Sequence, residues 1–379
     1  MEKQRKRIGI LYHFSPKWMG GVIYILNIVK VLNFLKDEDK PEIFLFYNSN
    51  LQRFVNEINY PYLHTIERPY PSVYKNFIKS FLTQKNTFVD GLINQYKLDT
   101  VFPLHDYPVK TKSKAKLISW YADLQQMHYP NFFSYSKRLE RLLRVKFILK
   151  NTKDLVVSSY DVKSDFYRFF DIPDHVKFHV YHFVSIVDTF PTDTKTAVCN
   201  EFSLPNNYYV ICNQFHKHKN HKVAFKAVAR LKELGKTVNL VLTGKLPDDS
   251  NSEYVKELKS ILQENKLEDQ IIFLGVLSRG KQLAIMQHAD AILQPSLFEG
   301  WSTVIEDAIS LQKPVICANL SVNVEQLKEK GTYFSAHNHK ELSAILVSKD
   351  FSQTPTPIYP QYEERVTAAA NTLYKILTD

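Results

Sequence analysis

Residues 295–308 carry backbone and side-chain groups that suit a phosphorylated sugar ligand. They follow a predicted apolar strand at 290–294 and open a predicted helix. In parallel α/β sheets, ligands bind beyond the carboxyl ends of the strands, next to helix N-termini. The backbone N–H groups of Ser302, Thr303 and Val304 would then face a phosphate, whose charge the helix dipole stabilises. The sequence therefore predicts an anion site at this helix start.

Three carboxylates accompany that helix start. Glu299 precedes Gly300 on the loop, where a carboxylate can accept hydrogen bonds from sugar hydroxyls. Asp307 comes a turn into the helix, on the side that a ribose would approach. Glu306 has a structural alternative, because Thr303 and Glu306 have the spacing of a capping box. We interpret Glu299 and Asp307 as ligand-binding candidates and leave Glu306 open between capping and binding.

A second candidate segment, 210–221, lies between a predicted strand and a predicted helix. It contains Asn213 and Gln214, followed by histidines and lysines that include Lys217 and Lys219. Lysine supplies a point charge to a diphosphate, and that charge counts most where water is excluded. Cations at a helix N-terminus oppose the helix dipole, and a bound anion would offset this cost. The alternative is a basic helix start without a ligand.

The N-terminal half contributes weaker candidates. Gly20 and Gly21 follow the first predicted strand, where glycine lets the backbone approach a ligand closely, although a simple turn would also explain them. His105 and Asp106 end another predicted strand, and His128 follows a third. These polar residues are candidates for a second ligand pocket, and a surface position without a ligand is the alternative for each histidine.

The 295–308 segment resembles the acidic signature of glycosyltransferase family 4, the group 1 glycosyltransferases of GT-B fold. That signature is Glu-Gly, a short loop, and a second acid eight positions after the first. Here these are Glu299, Gly300 and Asp307, with Asp in place of the usual Glu. The resemblance implies that Glu299 is a catalytic residue that contacts the donor sugar, and that Asp307, or the neighbouring Glu306, holds the donor ribose. It implies that the amides of 301–303, from Trp301 onward, contact sugar and diphosphate.

Further matches extend the resemblance. Lys219 stands at the family's lysine, which implies a catalytic role on the leaving diphosphate, whereas the family's arginine position holds Gln214. Lys217 would compensate, with Asn213 beside it in the donor site. The glycine pair resembles the family's N-terminal glycine loop, which faces the donor phosphates. Val276 lies in a segment that resembles the one whose backbone meets the donor base.

Asp123 matches the acid of a family His-Asp-Leu motif, with Ala122 at the histidine position. The resemblance implies that Asp123, His105, Asp106 and His128 line the acceptor pocket. Residues 37–39 (Asp-Glu-Asp) match the metal-binding motif of another glycosyltransferase fold only superficially, within a charged turn. Because GT-B enzymes generally need no such metal, we expect no metal and no cofactor besides the nucleotide-sugar co-substrate.

The elements that must position these residues alternate in type along the chain. Apolar runs that predict buried parallel strands occur at 7–13, 42–47, 100–104, 116–120, 154–158, 208–212, 238–243, 270–274, 290–294 and 313–318. Helical periodicity between them, as at 221–234, predicts an α/β fold with two Rossmann-like doubly wound domains facing a central cleft. We predict an acceptor-binding domain at 1–190, a nucleotide-sugar-binding domain at 191–360, and a C-terminal helix at 361–379 that crosses back to the first domain.

Composition restricts the partners. Residues 1–190 carry 28 Lys and Arg against 18 Asp and Glu, whereas 191–379 carry 21 of each. The basic half suits an anionic membrane surface or a phosphorylated acceptor, with a solvated face as the alternative. No nucleic-acid-binding motif is present, so no nucleic-acid partner is expected. Three cysteines without metal spacing, no signal-peptide pattern and no apolar run of membrane-spanning length predict a cytoplasmic protein, at most peripheral to a membrane.

The family resemblance thus implies a retaining glycosyltransferase of hexosyltransferase type. It would move a sugar from a nucleotide-sugar donor to a glycan or lipid-linked acceptor, as in surface polysaccharide or lipopolysaccharide synthesis. Two alternatives stay open, a nucleotide-sugar epimerase and a non-catalytic nucleotide-sugar-binding protein of the same fold. Product analysis distinguishes the first, and binding without turnover would identify the second.

Overall fold

The computed structural model describes residues 4–16, 18–245, 252–348, 351 and 357–379. The chain forms two compact units. The N-terminal unit comprises 1–186 together with 362–379, and the C-terminal unit comprises 187–361. No helix within the described ranges is long and apolar enough to cross a membrane.

Each unit contains one parallel sheet. The strands are β1 Arg7–Tyr12, β2 Glu42–Tyr47, β3 Leu63–Glu67, β4 Thr100–Leu104, β5 Lys116–Tyr121, β6 Asp154–Val157, β7 Lys177–Val180, β8 Tyr209–Cys212, β9 Leu240–Thr243, β10 Ile271–Gly275, β11 Ala291–Gln294, β12 Val315–Ala318 and β13 Thr332–Phe334. The N-terminal sheet has the order β3-β2-β1-β4-β5-β6-β7, and the C-terminal sheet has the order β10-β9-β8-β11-β12-β13.

Helices connect the strands. They are α1 Met19–Val31, α2 Gln52–Val55, α3 Val73–Thr83, α4 Thr87–Tyr96, α5 Gln125–His128, α6 Tyr135–Asn151, α7 Tyr160–Phe169, α8 Lys195–Phe202, α9 His221–Glu233, α10 Glu253–Glu264, α11 Arg279–His288, α12 Thr303–Ser310, α13 Ser321–Leu327, α14 His339–Ser348 and α15 Tyr362–Thr378. Short 3-10 turns complete the connections, among them Lys217–Lys219 before α9.

The ten predicted strands all form, within about two residues of their predicted ends. The sequence did not predict β3, β7 and β13, and all three are edge strands. Edge position explains the difference: β3 and β7 are largely exposed or half-buried, so their sequences lack the continuous apolar run of a central strand. Central strands such as β4 and β11 are buried at every position.

The last helix, α15, belongs to the N-terminal unit although it follows the whole C-terminal unit in the chain. It packs on α1 and buries an apolar stripe that includes Val366, Ala370 and Leu373. Its last carbonyls are bonded to the sheet: Thr100 Oγ1 donates to the Leu377 carbonyl at 2.7 Å, and Lys116 Nζ donates to the Ile376 carbonyl at 2.9 Å.

Each sheet reverses its winding direction at one place. The N-terminal sheet does so between β1 and β4, and the C-terminal sheet between β8 and β11. Crevices beyond the carboxyl ends of strands at such switch points are the usual ligand sites of doubly wound folds. The loops and helix starts that follow β8 and β11 carry most of the predicted donor-binding residues. Gly20 and Gly21 lie at the start of α1, after β1, and His105 and Asp106 lie in the loop after β4.

Candidate active site

The centre of the C-terminal switch point is an ion pair between its two loops. Lys219 Nζ, from the 3-10 turn after β8, lies 2.6 Å from Glu299 Oε1, from the loop after β11. The two side chains are 18% and 10% exposed, so the pair is shielded while solvent still reaches it. The structure thus joins the two residues that the sequence proposed as catalytic.

A buried amide network orients Glu299. Gln294, the last residue of β11, donates from Nε2 to Glu299 Oε1 at 2.9 Å and to Ser302 Oγ at 3.0 Å. Its own Oε1 accepts a hydrogen bond from Asn213 Nδ2 at 2.6 Å. Asn213 therefore supports the site from behind through Gln294. A carboxylate held by an ammonium and an amide has a fixed orientation, which is what recognition of sugar hydroxyls requires.

The helix start after this loop differs from the prediction. Ser302 is the N-cap of α12, with its Oγ accepting from the Ile305 N–H at 3.3 Å, so the capping-box alternative with Thr303 as N-cap does not form. The Ser302 N–H, expected to face a phosphate, instead donates to Gln326 Oε1 at 3.3 Å. Gln326 also donates from Nε2 to Glu306 Oε1 at 2.7 Å. A glutamine on α13 thus occupies two groups of the predicted anion site.

Asp307 is engaged as well. Both of its carboxylate oxygens accept from the guanidinium of Arg279, at the start of α11, at 2.5 Å. Asp307 is nearly fully buried at 2% side-chain exposure, whereas Arg279 is 36% exposed. Burial acts against the charge of Arg279, but the Asp307 carboxylate outweighs it and raises the pKa of the guanidinium.

The histidines around Lys219 do not add positive charge at neutral pH. Burial and the neighbouring Lys219 lower the pKa of His218 to about 4 and that of His221 to about 3, and they also lower the pKa of His216. His221 is fully buried and stacks on Phe215 at 4.4 Å. The positive charge of this segment at neutral pH therefore belongs to Lys217 and Lys219.

The remaining predicted donor residues of the C-terminal unit lie in the segments that follow its strands. Gln214 Oε1 accepts a hydrogen bond from His216 Nε2 at 2.9 Å, so Gln214 is held by its own loop. Gly244, after β9, has φ +125°, and a Cβ there would lie 2.5 Å from the Asn213 carbonyl. Val276 follows β10 and is 72% exposed. Gly300 and Trp301 belong to the loop between Glu299 and α12. Their roles as ligand contacts stay predictions.

In the N-terminal unit, the switch point gathers charged groups around Asp106. Arg144 from α6 lies 2.9 Å from Asp106 Oδ1, His105 Nδ1 lies 3.2 Å from the same oxygen, and His13 Nε2 lies 3.6 Å from Oδ2. Burial opposes ionisation of Asp106, but these neighbours outweigh it and hold the pKa well below its usual range. Asp106 is therefore a fixed negative charge within a cluster of donors.

Gly20 and Gly21 lie next to the ring of Trp18. A Cβ on Gly21 would lie 2.5 Å from the ring of Trp18, whereas a Cβ on Gly20 would lie 3.4 Å from it. Trp18 stacks on Trp120 at 5.8 Å and meets His105 at 6.0 Å. The absence of a side chain at Gly21 is thus required by the indole in this structure. Close approach of a ligand stays a prediction.

Two predicted acceptor residues, Asp123 and His128, have hydrogen-bond partners outside the Asp106 cluster. Asp123 Oδ1 accepts from the Gln125 N–H at 3.0 Å at the start of α5. His128 Nε2 lies 2.6 Å from Asp165 Oδ2 on α7. Both contacts hold short local structure together, so the structure gives these residues a positioning role beside the predicted one.

Sequence reasoning missed several members of these clusters. His13 and Gln294 end predicted strands, which is a readable signal, since strand ends meet at the switch point. Arg144, Arg279 and Gln326 lie on helices, where nothing in the local pattern distinguishes them from surface residues. Only the tertiary arrangement brings them to Asp106, Asp307 and Glu306.

Comparisons with known proteins agree with this geometry. Residues 199–348 match the family model described as glycosyl transferases group 1. The O-antigen chain mannosyltransferase RfbU of Salmonella typhimurium is 21% identical over 62% of the chain, and the match spans 61% of that relative's length.

Among solved structures, sucrose-phosphate synthase from Thermosynechococcus elongatus has a TM-score of 0.68 at 16% identity, with 99% of this chain and 95% of that chain covered. Anabaena Alr3699/HepE in complex with UDP and glucose has a TM-score of 0.64 at 17% identity, with 99% and 97% covered.

The two doubly wound sheets define the GT-B fold, as predicted. The match of residues 199–348, most of the C-terminal unit, to the group 1 glycosyltransferases confirms the family resemblance.

Proposed function

We propose that this protein transfers a hexosyl group from a nucleotide-sugar donor to a glycan or lipid-linked acceptor, with retention of anomeric configuration. The observation that carries the proposal is the Lys219–Glu299 pair at the C-terminal switch point, 2.6 Å apart and shielded from bulk solvent. It combines a mobile cation for a leaving diphosphate with a carboxylate acceptor for sugar hydroxyls. Both are groups that this transfer needs in one place.

In the proposed reaction, the bond between the anomeric carbon and the diphosphate oxygen breaks, and a bond to an acceptor hydroxyl forms on the same face. The acceptor proton passes to the departing diphosphate. Lys219 balances the charge that develops on the leaving group, where a shielded cation is most effective. Glu299, held by Gln294, orients the sugar so that the reacting atoms meet.

The donor ribose would require Asp307 or Glu306 to exchange its present partner. Asp307 would have to release Arg279, and Glu306 would have to release Gln326. The Gln326 side chain is uncharged, so its exchange costs less than separating the buried Arg279–Asp307 ion pair. We therefore assign the ribose to Glu306 and a structural role to Asp307.

The acceptor would bind at the N-terminal switch point, where Asp106 and His105 offer a fixed acceptor and an aromatic ring. RfbU is named for O-antigen chain synthesis, and a similar surface polysaccharide or lipopolysaccharide acceptor is proposed for this protein. HepE was solved with UDP and glucose, which makes UDP the first nucleotide to test.

Thermal unfolding in the presence of UDP, GDP, ADP or CMP, each with and without its common sugar conjugates, tests the donor site. A ligand at about 100 times its Kd stabilises by about 2.7 kcal/mol. One nucleotide class should raise the Tm, and the part due to the sugar should be lost in Glu299→Gln. The exposed Glu233→Gln is the matched control. If no nucleotide shifts the Tm, the donor site is refuted.

A nucleotide-sugar-binding protein without turnover is the second candidate. It is favoured by one observation, namely that Gln214 and Ala122 stand where the family resemblance expects an arginine and a histidine. Incubation with the stabilising donor separates the candidates: released nucleotide with a new glycosidic bond supports the transferase, and an isomerised donor supports an epimerase. Binding without either product supports the non-catalytic protein.

A further inference from the structure

One face of the N-terminal unit exposes a concentration of large apolar side chains. Fifteen such side chains are exposed among the described residues, and seven of them lie on α3 and α6. We call these seven the apolar face: Tyr74, Ile78, Phe81 and Leu82 on α3, and Tyr135, Leu139 and Leu143 on α6. The four on α3 are 65–74% exposed.

Helix α3 is amphipathic, but its apolar stripe faces solvent, whereas the apolar stripe of a surface helix usually faces the core. Its apolar residues recur at i, i+4, i+7 and i+8 from Tyr74, and this stripe points outward. Its buried positions are the polar Asn76 and Ser80, which are 4% and 0% exposed, while Val73 and Phe77 are half-buried. Asn76 Nδ2 donates to Asn86 Oδ1 at 3.1 Å. A surface helix normally turns its apolar stripe to the core. The apolar stripe of α3 therefore lacks the environment that its sequence suits.

The stripes of α3 and α6 form one surface. On α6, Tyr135, Leu139 and Leu143 recur every four residues, and the next position in the series is Phe147. The Phe147 ring meets the Phe77 ring of α3 with centroids 4.6 Å apart. This contact connects the two helices at the point where the α6 stripe ends. The exposed side chains are thus parts of a continuous patch, which is larger than isolated surface residues explain.

The charged residues around the apolar face are mostly basic. Residues 73–85 contain three lysines and no acid, and residues 135–151 contain six basic residues and one acid, Glu140. Glu140 is already paired with Arg144 at 2.9 Å and with Lys137 at 3.5 Å. Lys110 Nζ donates to Gln84 Oε1 at 2.9 Å, which brings the lysine-rich segment 110–116 to the end of α3. The basic excess of the N-terminal half therefore concentrates next to the apolar face.

We propose that the apolar face docks on an anionic lipid bilayer. Its aromatic and aliphatic side chains enter the boundary between headgroups and acyl chains, and the surrounding lysines and arginines bind the anionic headgroups. A second copy of the chain would bring two basic rims together, which opposes dimerisation through this face. The proposal is independent of the donor chemistry, since it rests on α3 and α6 alone.

Co-sedimentation of the full chain with large unilamellar vesicles tests the proposal. Binding is expected to vesicles of phosphatidylcholine and phosphatidylglycerol in about equal parts and to fall with added salt. Phosphatidylcholine alone should bind at least about tenfold more weakly. The double variant Phe81→Ser/Leu82→Ser should lose about tenfold or more in affinity, and Lys75→Gln/Lys79→Gln about 30-fold at low salt. Tyr167 is an aromatic residue on α7 that is 57% exposed, and Tyr167→Ser is the control that should bind like the wild type.

Because the changed side chains are exposed, all variants should unfold at the wild-type temperature. A polarity-sensitive fluorophore on Leu82→Cys should shift to the blue on anionic vesicles, which a purely electrostatic adsorption would not produce. Absence of vesicle binding, or unchanged binding of the Phe81→Ser/Leu82→Ser variant, would overturn the proposal. So would a concentration-dependent dimer that this variant abolishes, because the face would then be covered by a second copy.

Discussion

The guanidinium of Arg279 holds both carboxylate oxygens of Asp307, at 2.5 Å each, and Asp307 is the acid that the family signature assigns to the donor ribose. The pair is unequal in burial, since Asp307 is 2% and Arg279 36% exposed. Removal of the Arg279 side chain therefore leaves a buried carboxylate without its partner, whereas removal of the Asp307 carboxylate leaves a partly hydrated guanidinium.

This inequality predicts an asymmetric effect on stability. Arg279→Met should destabilise the protein by about 3–5 kcal/mol, because it leaves a buried charge without its partner. Asp307→Asn should cost less, since water can solvate the remaining Arg279. Urea unfolding of both variants measures the difference. Equal losses, or a larger loss in Asp307→Asn, would contradict the assignment of a structural role to this pair.

Lys219 should be needed for turnover far more than for folding. Lys219→Met is expected to reduce kcat/KM about 100-fold or more, as loss of a charge-stabilising donor does in other active sites. Lys222→Met is a close control, because Lys222 lies one turn along on α9 and pairs with Glu257 away from the loop. If both variants lose activity equally, a specific role for Lys219 is excluded.

The buried His221 predicts a pH dependence of stability. Its pKa is about 3 in the folded chain, against an ordinary value near 6.5, so the unfolded state binds more protons between these values. Stability should therefore fall as the pH drops below about 6.5, by about 2 kcal/mol at pH 5 for this group. His221→Phe, which can keep the stack on Phe215, should remove that part of the loss.

Urea unfolding at pH 7 and pH 5 provides the measurement for His221. The exposed His337→Phe is the control, and its pH profile should follow that of the wild type. A His221→Phe profile as steep as the wild type would mean that other groups cause the dependence.

The two neighbouring glycines of α1 should differ in their tolerance of alanine. Gly21→Ala places a Cβ against the Trp18 ring and should destabilise by about 1–3 kcal/mol, as overpacking does. Gly20→Ala has more room and gains helix propensity, so its stability should be unchanged or slightly higher. Thermal unfolding and the near-ultraviolet circular dichroism of the tryptophans report both effects. Equal tolerance of the two substitutions would show that Trp18 readily leaves its position.

Sugar transfer should need no divalent metal. Glu299 is held by Lys219 and Gln294, and the charge of the leaving diphosphate is assigned to Lys219. Initial rates should therefore be unchanged after dialysis against EDTA. A loss of rate that returns with Mg²⁺ or Mn²⁺ would refute the assignment, and a loss that does not return would indicate damage to the protein.

The central strands and the Lys219–Glu299 pair could be predicted because their signals are local. Buried strands are continuous apolar runs, and both loops follow such strands directly. Edge strands such as β3 have no such run, since one side of an edge strand lacks a neighbour. Arg279 and Gln326 could not be predicted, because their importance arises from acids that are distant in the chain. The neutral histidines could not be predicted either, since their pKa values depend on burial that the sequence does not state.

Carbonyls of α15 bond to Thr100 and Lys116, so the N-terminal unit completes its fold only after the last helix has been synthesised. A ribosome completes the C-terminal unit at residue 361, while the helix that finishes the N-terminal unit is still to be made. The N-terminal unit consequently emerges first from the ribosome but completes its fold last. Until then, the surface of the N-terminal unit that receives Val366, Ala370 and Leu373 stays uncovered, which makes it a surface that chaperones can bind on the nascent chain.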